Sequence, residues 1–261
     1  MTPIPDYVPG HQLLAGRSVL ITAAAGAGIG FAAATRALEE GCRALMISDI
    51  HAKRLDAAVA TLRREHGVDH VWGQLCNVAV ESEVQALVAA AEEKLGGIDV
   101  LINNAGLGTE KKLVEMTDDE WHKVLDVSLT GTFRMMRAVL PHMQRRGRGA
   151  IVNNASVLGW RAQKDQSHYA AAKAGVMALT RCAGLEAAEH GVRINAVAPS
   201  FAVHAFLRKS ASEELLARLM SREAFGRGAE VWEVANVMMF LASDYASYLV
   251  GEVISVSSQH P

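Results

Sequence analysis

Three polar side chains in the second half of the chain have the types and the spacing that proton transfer requires. Tyr169 and Lys173 are four residues apart in a helical pattern, so both project from one face, and Ser156 follows a predicted strand. A phenol with a pKa of about 10 is a poor acid or base at neutral pH, but a neighbouring ammonium would stabilise its phenolate. The serine hydroxyl could hold an alcohol or carbonyl oxygen beside the phenol. The pattern indicates acid–base chemistry at such an oxygen, although the same Tyr and Lys spacing often arises by chance.

A glycine-rich turn near the start of the chain has the composition of a phosphate-binding loop. A predicted strand ending at Thr22 runs into the turn that contains Gly26, Gly28, Ile29 and Gly30, and an alanine-rich helix follows. Glycines let the backbone approach a pyrophosphate, and the free amides at the helix start stabilise its charge. This order predicts a dinucleotide site, the alternative being a tight turn that binds nothing.

Asp49 closes the second predicted strand, 19 residues after Gly30. An acid at roughly 20 residues receives the adenosine ribose hydroxyls in dinucleotide-binding folds, and its charge would repel a 2′-phosphate. The glycine turn has no Lys or Arg, which favours NAD, whereas the nearby His51, Lys53 and Arg54 leave NADP as an open alternative. The other role open to Asp49 is to cap the helix that follows.

The chain alternates short aliphatic runs with longer alanine-rich helical patterns. This alternation predicts an α/β fold with a single Rossmann-type doubly wound sheet of about seven parallel strands and helices on both faces. The predicted strands cover residues 18–22, 44–48, 70–74, 100–103, 150–153, 193–197 and 253–256, and the predicted helices cover 29–40, 52–66, 81–95, 118–144, 169–190 and 231–242. The whole chain, 1–261, is expected to form one domain with an N-terminal arm at 1–12 and a substrate lid at 199–227.

The composition excludes several classes of protein. The chain has 261 residues, of which 50% are hydrophobic and 21% charged, and its net charge is −2. This balance excludes disordered and coiled-coil chains, and no excess of charge would concentrate nucleic acid or an anionic membrane. The three cysteines have no histidine at ligand spacing, so neither a disulfide framework nor a metal site is predicted. Without a signal-peptide pattern or an apolar run long enough to span a bilayer, the chain is expected in the cytoplasm.

Several separate motifs occur in a fixed order along the chain. They are Gly28-Ile29-Gly30 in the turn, Asn103 to Gly106 after the fourth strand, Ser156 with Tyr169 to Lys173, and the segments 240–244 and 248–256. In this order they resemble the motifs of the short-chain dehydrogenase/reductase family, and the resemblance covers essentially the whole chain. It implies a Rossmann-type domain, NAD(P)-dependent alcohol or ketone chemistry and usually a homotetramer. It also implies that Ser156, Tyr169 and Lys173 are catalytic.

The resemblance further implies which residues surround the cofactor. Ala23 replaces a glycine of the family pattern and one extra residue precedes Gly28, so the turn is expected to take a slightly wider path. Ser128 replaces an asparagine that supports a water relay to the lysine, and it is expected to share the catalytic role. The implied cofactor-binding residues are Thr22, Gly26, Gly28, Ile29, Gly30, Asp49, Asn77, Val78, Asn104, Ala105, Gly106, Tyr169, Lys173, Pro199, Ser200 and His204.

The segment between the serine and the tyrosine is expected to overhang the nicotinamide and to contact the substrate. It contains Trp160, which offers an apolar wall, together with Arg161 and Gln163. Its basic residues suit an anionic substrate such as a coenzyme A thioester. Within the family, the chain is similar to actinobacterial members of steroid C/D-ring breakdown, which act on a hydroxylated methylindanone coenzyme A thioester.

Two other functions remain open at this point. One is a 3-oxoacyl-thioester reductase of fatty-acid type that uses NADPH. The other, suggested by Ala23 and Ser128, is a dinucleotide-binding regulator without catalytic activity. Nucleic-acid binding has only the basic cluster from Arg145 to Arg148 behind it and is not expected.

Overall fold

Seven parallel strands form the central sheet of the protein. The computed structural model describes residues 2–203 and 213–259. The sheet has the order β3-β2-β1-β4-β5-β6-β9, which confirms the predicted α/β fold with a doubly wound sheet. A second sheet pairs two short strands, β7 and β8. The strands are β1 (Ser18–Ile21), β2 (Ala44–Asp49), β3 (Val71–Leu75), β4 (Val100–Asn103), β5 (Gly149–Asn154), β6 (Val192–Pro199), β7 (Ala202–Val203), β8 (Ala229–Glu230) and β9 (Val253–Val256).

Eight α-helices lie around the sheet within the part of the chain that the structure describes. They are α1 (Ile29–Glu39), α2 (Ala52–His66), α3 (Glu81–Leu95), α4 (Asp118–Leu125), α5 (Gly131–Arg146), α6 (Ser167–Ala188), α7 (Glu213–Met220) and α8 (Val231–Ala242).

The central strands are buried on both faces, which explains their continuous aliphatic sequences. Every residue of β1, β2 and β4 is buried. On one face, apolar side chains of α1, α2 and α8 pack against the sheet. On the other face, α3, α5 and the end of α6 form a second core. The sheet thus holds its carboxyl edge rigid, and the loops that leave this edge carry the candidate site.

The predicted helix over 118–144 is interrupted by one π-helical turn, Asp126–Thr130. The turn lies between α4 and α5 and buries Ser128. At its end Gly131 packs so closely that an added Cβ would lie 2.6 Å from Cγ2 of Val78. A π turn holds one residue more than an α turn, and such turns occur mostly at functional sites. The apolar periodicity of the sequence does not distinguish this turn from regular helix.

Other predicted boundaries also shift. β3 covers Val71–Leu75 rather than 70–74, and β6 covers Val192–Pro199, which is longer than the predicted 193–197. The segment 199–227 was expected to be irregular, but it contains β7 and α7. Residues 204–212 of that segment lie outside the described residues.

A buried ion pair ties the N-terminal arm to the end of α1. Nη2 of Arg36 lies 2.7 Å from Oε1 of Glu40, and both side chains are almost fully buried. Oε2 of Glu40 accepts hydrogen bonds from the backbone N–H of His11 at 2.7 Å and of Leu13 at 3.1 Å. Nη1 of Arg36 donates to the carbonyl oxygen of Val8 at 2.5 Å. The arm is therefore fixed by polar contacts that its sequence does not predict.

Within residues 2–203 and 213–259, no helix combines the length and the hydropathy that crossing a membrane requires. The same residues contain no group of three or more His, Cys, Asp or Glu side chains that could hold a metal ion. Burial raises the pKa of the thiols of Cys42 and Cys76 to about 12, so both are poor nucleophiles at neutral pH.

Candidate active site

The glycine turn between β1 and α1 presents open backbone. A Cβ added to Gly26 or Gly28 would meet nothing within 4 Å, and no side chain caps the start of α1. At Gly30, in contrast, a Cβ would lie 2.4 Å from Nδ2 of Asn104 and 2.5 Å from the carbonyl oxygen of Ala23. The first two glycines leave free amides that an anion can approach, and the third allows close packing. This arrangement fits the pyrophosphate of a dinucleotide.

Thr22 and Asn104 join the glycine turn to the loop after β4. Oγ1 of Thr22 accepts hydrogen bonds from the backbone N–H of Asn104 and of Ala105, both at 3.0 Å. Nδ2 of Asn104 donates to the carbonyl oxygens of Ala23 at 2.9 Å and of Thr22 at 3.3 Å. These contacts bring the two loops together at the carboxyl ends of neighbouring strands. They give both residues a structural role beside the cofactor contact that was predicted for them.

Asp49 lies at the end of β2 with its carboxylate turned toward the glycine turn. Oδ2 accepts from the backbone N–H of Ala25 at 3.3 Å, and Oδ1 accepts from the N–H of His51 at 3.1 Å. Nη2 of Arg54 lies 3.4 Å from Oδ1 on a side chain that is 57% exposed. The carboxylate therefore faces the predicted ribose position, with one exposed cation beside it.

Asn77 and Val78 follow β3 on the adenosine side of the same edge. Oδ1 of Asn77 accepts from the backbone N–H of Ala79 at 3.0 Å, and its own N–H donates to Oε2 of Glu83 at 2.8 Å. Val78 is buried against Gly131. The two predicted cofactor residues thus shape the wall between the end of β3 and the π-helical turn.

Ser156, Tyr169 and Lys173 lie together beyond the end of β5. Ser156 and Tyr169 line one cavity, and the Ser156 hydroxyl acts to lower the pKa of the phenol. Nζ of Lys173 donates to the carbonyl oxygen of Asn154 at 2.6 Å and lies 5.6 Å from the centre of the Tyr169 ring. The hydroxyl of Ser156 also accepts from the N–H of Leu158 at 3.2 Å. The spacing in the sequence thus brings these three side chains into one site.

The pKa values within this trio differ from the expectation. Burial raises the pKa of the Tyr169 phenol, and the hydrogen bond with Ser156 opposes that shift. Burial lowers the pKa of the Lys173 ammonium to about 8. The predicted lowering of the tyrosine pKa by the lysine is therefore wrong for the protein alone, because the ammonium is directed at Asn154 and burial destabilises both ions.

Ser128 holds the loop that passes over the lysine. Its hydroxyl accepts from the backbone N–H of Leu107 at 2.9 Å and donates to the carbonyl oxygen of the same residue at 3.1 Å. A Cβ on Gly106 would lie 3.3 Å from Nζ of Lys173 and 3.8 Å from Oγ of Ser128. The glycine therefore fits between these two groups, and the contacts of Ser128 are with the loop backbone.

A cavity of about 440 Å³ adjoins Ser156 and Tyr169. Arg161 and Gln163 line it as predicted, but Trp160 does not, and the indole is 43% exposed. The role of Trp160 as an apolar wall of the substrate site stays a prediction. The apolar lining comes instead from Val157, Leu158, Phe201 and Leu219, and further polar lining comes from Gln166, Ser200, Arg222 and Gln259.

The predicted nicotinamide contacts after β6 are described only in part. Pro199 ends β6, and Ser200 lines the cavity beside Tyr169. His204 lies outside the residues that the structure describes, as do the lid residues Arg208 and Lys209.

His168 is a site neighbour that the sequence analysis missed. It is fully buried, directly before Tyr169, and its Nε2 lies 2.8 Å from Oγ1 of Thr109. This contact joins the loop after β4 to the first turn of α6. A lone histidine beside the tyrosine gave no signal of this contact, because Thr109 is 59 residues away in the sequence.

Comparisons with known proteins agree with this geometry. The model of a family described as enoyl-(acyl carrier protein) reductase matches residues 23–258. A Mycobacterium tuberculosis protein, (5R,7aS)-5-hydroxy-7a-methyl-1-oxo-2,3,5,6,7,7a-hexahydro-1H-indene-carboxyl-CoA reductase, is 58% identical over 258 residues, 98% of each chain. A Staphylococcus aureus 3-oxoacyl-(acyl-carrier-protein) reductase is 36% identical over 92% of this chain and 96% of its own.

Two solved structures show the same fold. A short chain dehydrogenase from Mycobacterium smegmatis has a TM-score of 0.88 at 51% identity and covers 99% of both chains. Levodione reductase has a TM-score of 0.88 at 34% identity, covering 94% of this chain and 97% of its own.

Proposed function

Because the chain belongs to the short-chain dehydrogenase/reductase family, we propose that it interconverts a secondary alcohol and a ketone on a bicyclic acyl-coenzyme A thioester. The proposed substrate is of the hydroxy-methyl-oxo-indene-carboxyl-CoA type that the Mycobacterium tuberculosis relative is named for. The 58% identity over 98% of both chains is the observation that carries this proposal.

The chain's own residues act at the reacting oxygen. The Ser156 hydroxyl holds that oxygen, and the Tyr169 phenol gives it a proton during reduction or takes one during oxidation. Lys173 lies one helical turn away and contributes a titratable cation beside the phenol. A nicotinamide dinucleotide, when bound, supplies or accepts the hydride at the adjoining carbon. Gly106 and the loop that Ser128 holds lie against the ammonium of Lys173.

NAD is the cofactor we propose in preference to NADP. Gly26 and Gly28 would hold the pyrophosphate, and the Asp49 carboxylate would accept hydrogen bonds from the ribose hydroxyls. A 2′-phosphate placed there would meet this carboxylate, whereas the Arg54 cation beside it is exposed and screened by solvent.

The cavity supports a bulky substrate. It has a volume of about 440 Å³, and its apolar lining includes Leu158, Phe201 and Leu219. A fatty-acid-type 3-oxoacyl reductase using NADPH is the second candidate, supported by the 36% identity to the Staphylococcus aureus enzyme. The arrangement of Ser156 and Tyr169 in one cavity argues against the regulator without catalytic activity.

We further propose a homotetramer in the cytoplasm that binds no nucleic acid. The homotetramer that is usual in the family supports association of subunits. Light scattering of the purified protein measures the oligomeric state, and a monomer would contradict this part of the proposal.

A substrate and cofactor matrix tests the proposed function. We expect the bicyclic thioester with NAD(H) to give a kcat/KM about tenfold or more above that for a straight-chain 3-oxoacyl thioester, because the cavity fits the bulkier group. Higher activity on the straight chain with NADPH would favour the second candidate. Binding of NADH without turnover of any substrate would favour the regulator.

Tyr169→Phe tests the role of the phenol. This variant is expected to lower kcat by about a hundredfold to ten-thousandfold, because the group that transfers the proton is lost. Its affinity for NADH, measured by fluorescence, should stay near that of the parent protein. Tyr245→Phe is the matched control, since this phenol is 79% exposed and lies outside the cavity lining. A near-normal rate for Tyr169→Phe would refute the assigned role.

A further inference from the structure

The last described residue of the chain, Gln259, bridges a cation and an anion at the substrate cavity. Its Oε1 accepts a hydrogen bond from Nη1 of Arg161, and its Nε2 donates to Oε1 of Glu223 at 2.5 Å. Glu223 is 5% exposed, and its second oxygen accepts from Oγ of Ser258 at 2.7 Å. Three separate segments thus meet in one chain of hydrogen bonds, which we name the Arg161–Gln259–Glu223 relay.

The charges at its two ends fix the direction of the relay. A guanidinium only donates hydrogen bonds and a carboxylate only accepts them, so the carboxamide between them can take one orientation. In that orientation the amide is polarised by both neighbours. The relay therefore holds the Arg161 side chain in place and offsets its positive charge with a buried negative charge two groups away.

One donor of Arg161 is left without a partner. Its Nη2 is buried and makes no hydrogen bond among the described residues. Buried donors without partners are uncommon in proteins, because burial removes water without replacing its hydrogen bond. Arg161 lines the same cavity as Ser156 and Tyr169, so a molecule that binds there and moves the side chains covering Nη2 can provide the missing acceptor.

The surroundings indicate which kind of oxygen this acceptor is. Within the described residues, the cavity lining contains two arginines, Arg161 and Arg222, and no carboxylate. Arg222 is exposed and suits the phosphates of coenzyme A, which keep their contact with water. The charge of Arg161 is already offset through Gln259, and its free nitrogen is buried, so it suits an uncharged carbonyl oxygen.

We propose that Arg161 determines specificity by donating from Nη2 to a second carbonyl oxygen of the substrate, remote from the reacting one, and that Gln259 and Glu223 position it. The inference rests on the proposed function, in which the ring ketone of the bicyclic thioester supplies that oxygen. Arg161, Gln259 and Glu223 then select substrates that carry two oxygens on the ring system over substrates that carry only the reacting one.

The test compares two substrates that differ in one atom group. The first is the bicyclic hydroxy-oxo thioester, and the second is its analogue with CH₂ in place of the remote ketone. In the parent protein, kcat/KM is expected to be about 10- to 100-fold higher for the ketone. Arg161→Gln should remove most of this preference, mainly by raising KM for the ketone, so that the kcat/KM values for the two substrates become nearly equal.

Further variants separate positioning from simple loss of structure. Gln259→Leu keeps the size of the side chain but breaks both hydrogen bonds, so it should lower the preference partly, and Glu223→Gln should do the same. Arg222→Gln removes an equal charge from the same cavity outside the relay, and should affect both substrates alike. Thermal melting of each variant checks that the fold is kept.

The outcomes distinguish this inference from the proposed function. Equal effects of Arg161→Gln on both substrates, or no preference in the parent protein, would overturn the inference while leaving the proposed function intact. Failure to turn over either bicyclic thioester would overturn the proposed function. In that case a cyclic diketone and the matching monoketone replace the pair, and the same loss of preference in Arg161→Gln decides the question.

Discussion

Lys173 is the buried cation of the site, and its burial has a consequence for folding as well as for catalysis. Its side chain is almost fully buried and directs Nζ at one backbone carbonyl, so the charged form gains one hydrogen bond while it loses hydration. The pKa falls to about 8 for this reason. The unfolded chain therefore binds a proton at this lysine over a pH range in which the folded protein does not.

We predict that Lys173 makes the folded protein more stable as the pH rises above 8. Between pH 8 and the ordinary lysine pKa of about 10.4, its contribution should increase by about 1.4 kcal/mol per pH unit, and below pH 8 it should stay constant. Urea unfolding of the parent and of Lys173→Met, each without cofactor, measures this contribution as the difference between the two free energies of unfolding. A difference between the two free energies of unfolding that stays constant from pH 8 to about 10.4 would contradict this prediction.

At the residue scale, the sequence predicted which residues form the site better than it predicted what surrounds each of them. The helical spacing identified Tyr169, which lines the cavity, and Lys173 beside it. The glycine pattern identified the turn with open backbone. The direction of the tyrosine pKa, the exposure of Trp160 and the contact of His168 with Thr109 depend on neighbours that are distant along the chain. Local patterns contain no information on such neighbours.

The turn from β1 into α1 contains Ala23 in a backbone conformation that is unusual for alanine. Ala23 has a φ of 52°, in the left-handed region that favours glycine. Its carbonyl oxygen accepts from Asn104, and the N–H of Ala24 donates to the carbonyl oxygen of Ser48 at 3.0 Å. Contacts from two neighbouring strands thus hold the alanine in a conformation that its side chain disfavours. The slightly wider path expected for this turn stays a prediction.

Ala23→Gly is therefore expected to stabilise the protein. The release of the left-handed strain outweighs the greater freedom of glycine in the unfolded chain, so the free energy of unfolding should rise by about 0.5–1 kcal/mol. Ala32→Gly, within α1, is the matched control and should lower it by about 1 kcal/mol. Chemical denaturation measures both, and a loss of stability in Ala23→Gly would refute this account of the turn.

At the element scale, the seven strands of the sheet and most helices followed from apolar periodicity, but the order of the strands and the ends of the elements did not. The periods of strand and helix differ strongly, so alternation along the chain identified the sheet. The π-helical turn at Asp126–Thr130 adds one residue within a continuous helical pattern, which the apolar periodicity on either side does not show. β7 and β8 are two residues long, which is too short for a period to show.

At the scale of the whole molecule, polar contacts attach the two ends of the described chain to the body. Near the start, Glu40 accepts hydrogen bonds from the backbone N–H groups of His11 and Leu13 and pairs with the guanidinium of Arg36. At the other end, Gln259 reaches Arg161 and Glu223. Neither attachment could be predicted from sequence, because each joins residues far apart through single hydrogen bonds. The division of the chain into arm, domain and lid stays a prediction.

Glu40→Ala should destabilise the whole protein. Removing this carboxylate takes away the buried partner of the Arg36 charge and leaves the backbone N–H groups of His11 and Leu13 without their acceptor, so we expect a loss of about 3–5 kcal/mol in the free energy of unfolding. Glu39→Ala is the matched control, since Glu39 carries the same charge beside Arg36 but is more exposed, and its loss should be under about 1 kcal/mol. Equal losses in the two variants would show that burial of the pair is unimportant.

The π-helical turn also sets a rule for insertions and deletions. Because this turn holds one residue more than an α turn, deleting one residue from 126–130 would let it close into regular helix while α5 keeps its face toward the core. Deleting one residue from 132–134 would instead rotate the rest of α5 by about 100° and turn Met135 and Met136 out of the core. Relatives that keep this packing should therefore differ by one residue at the turn more readily than within α5.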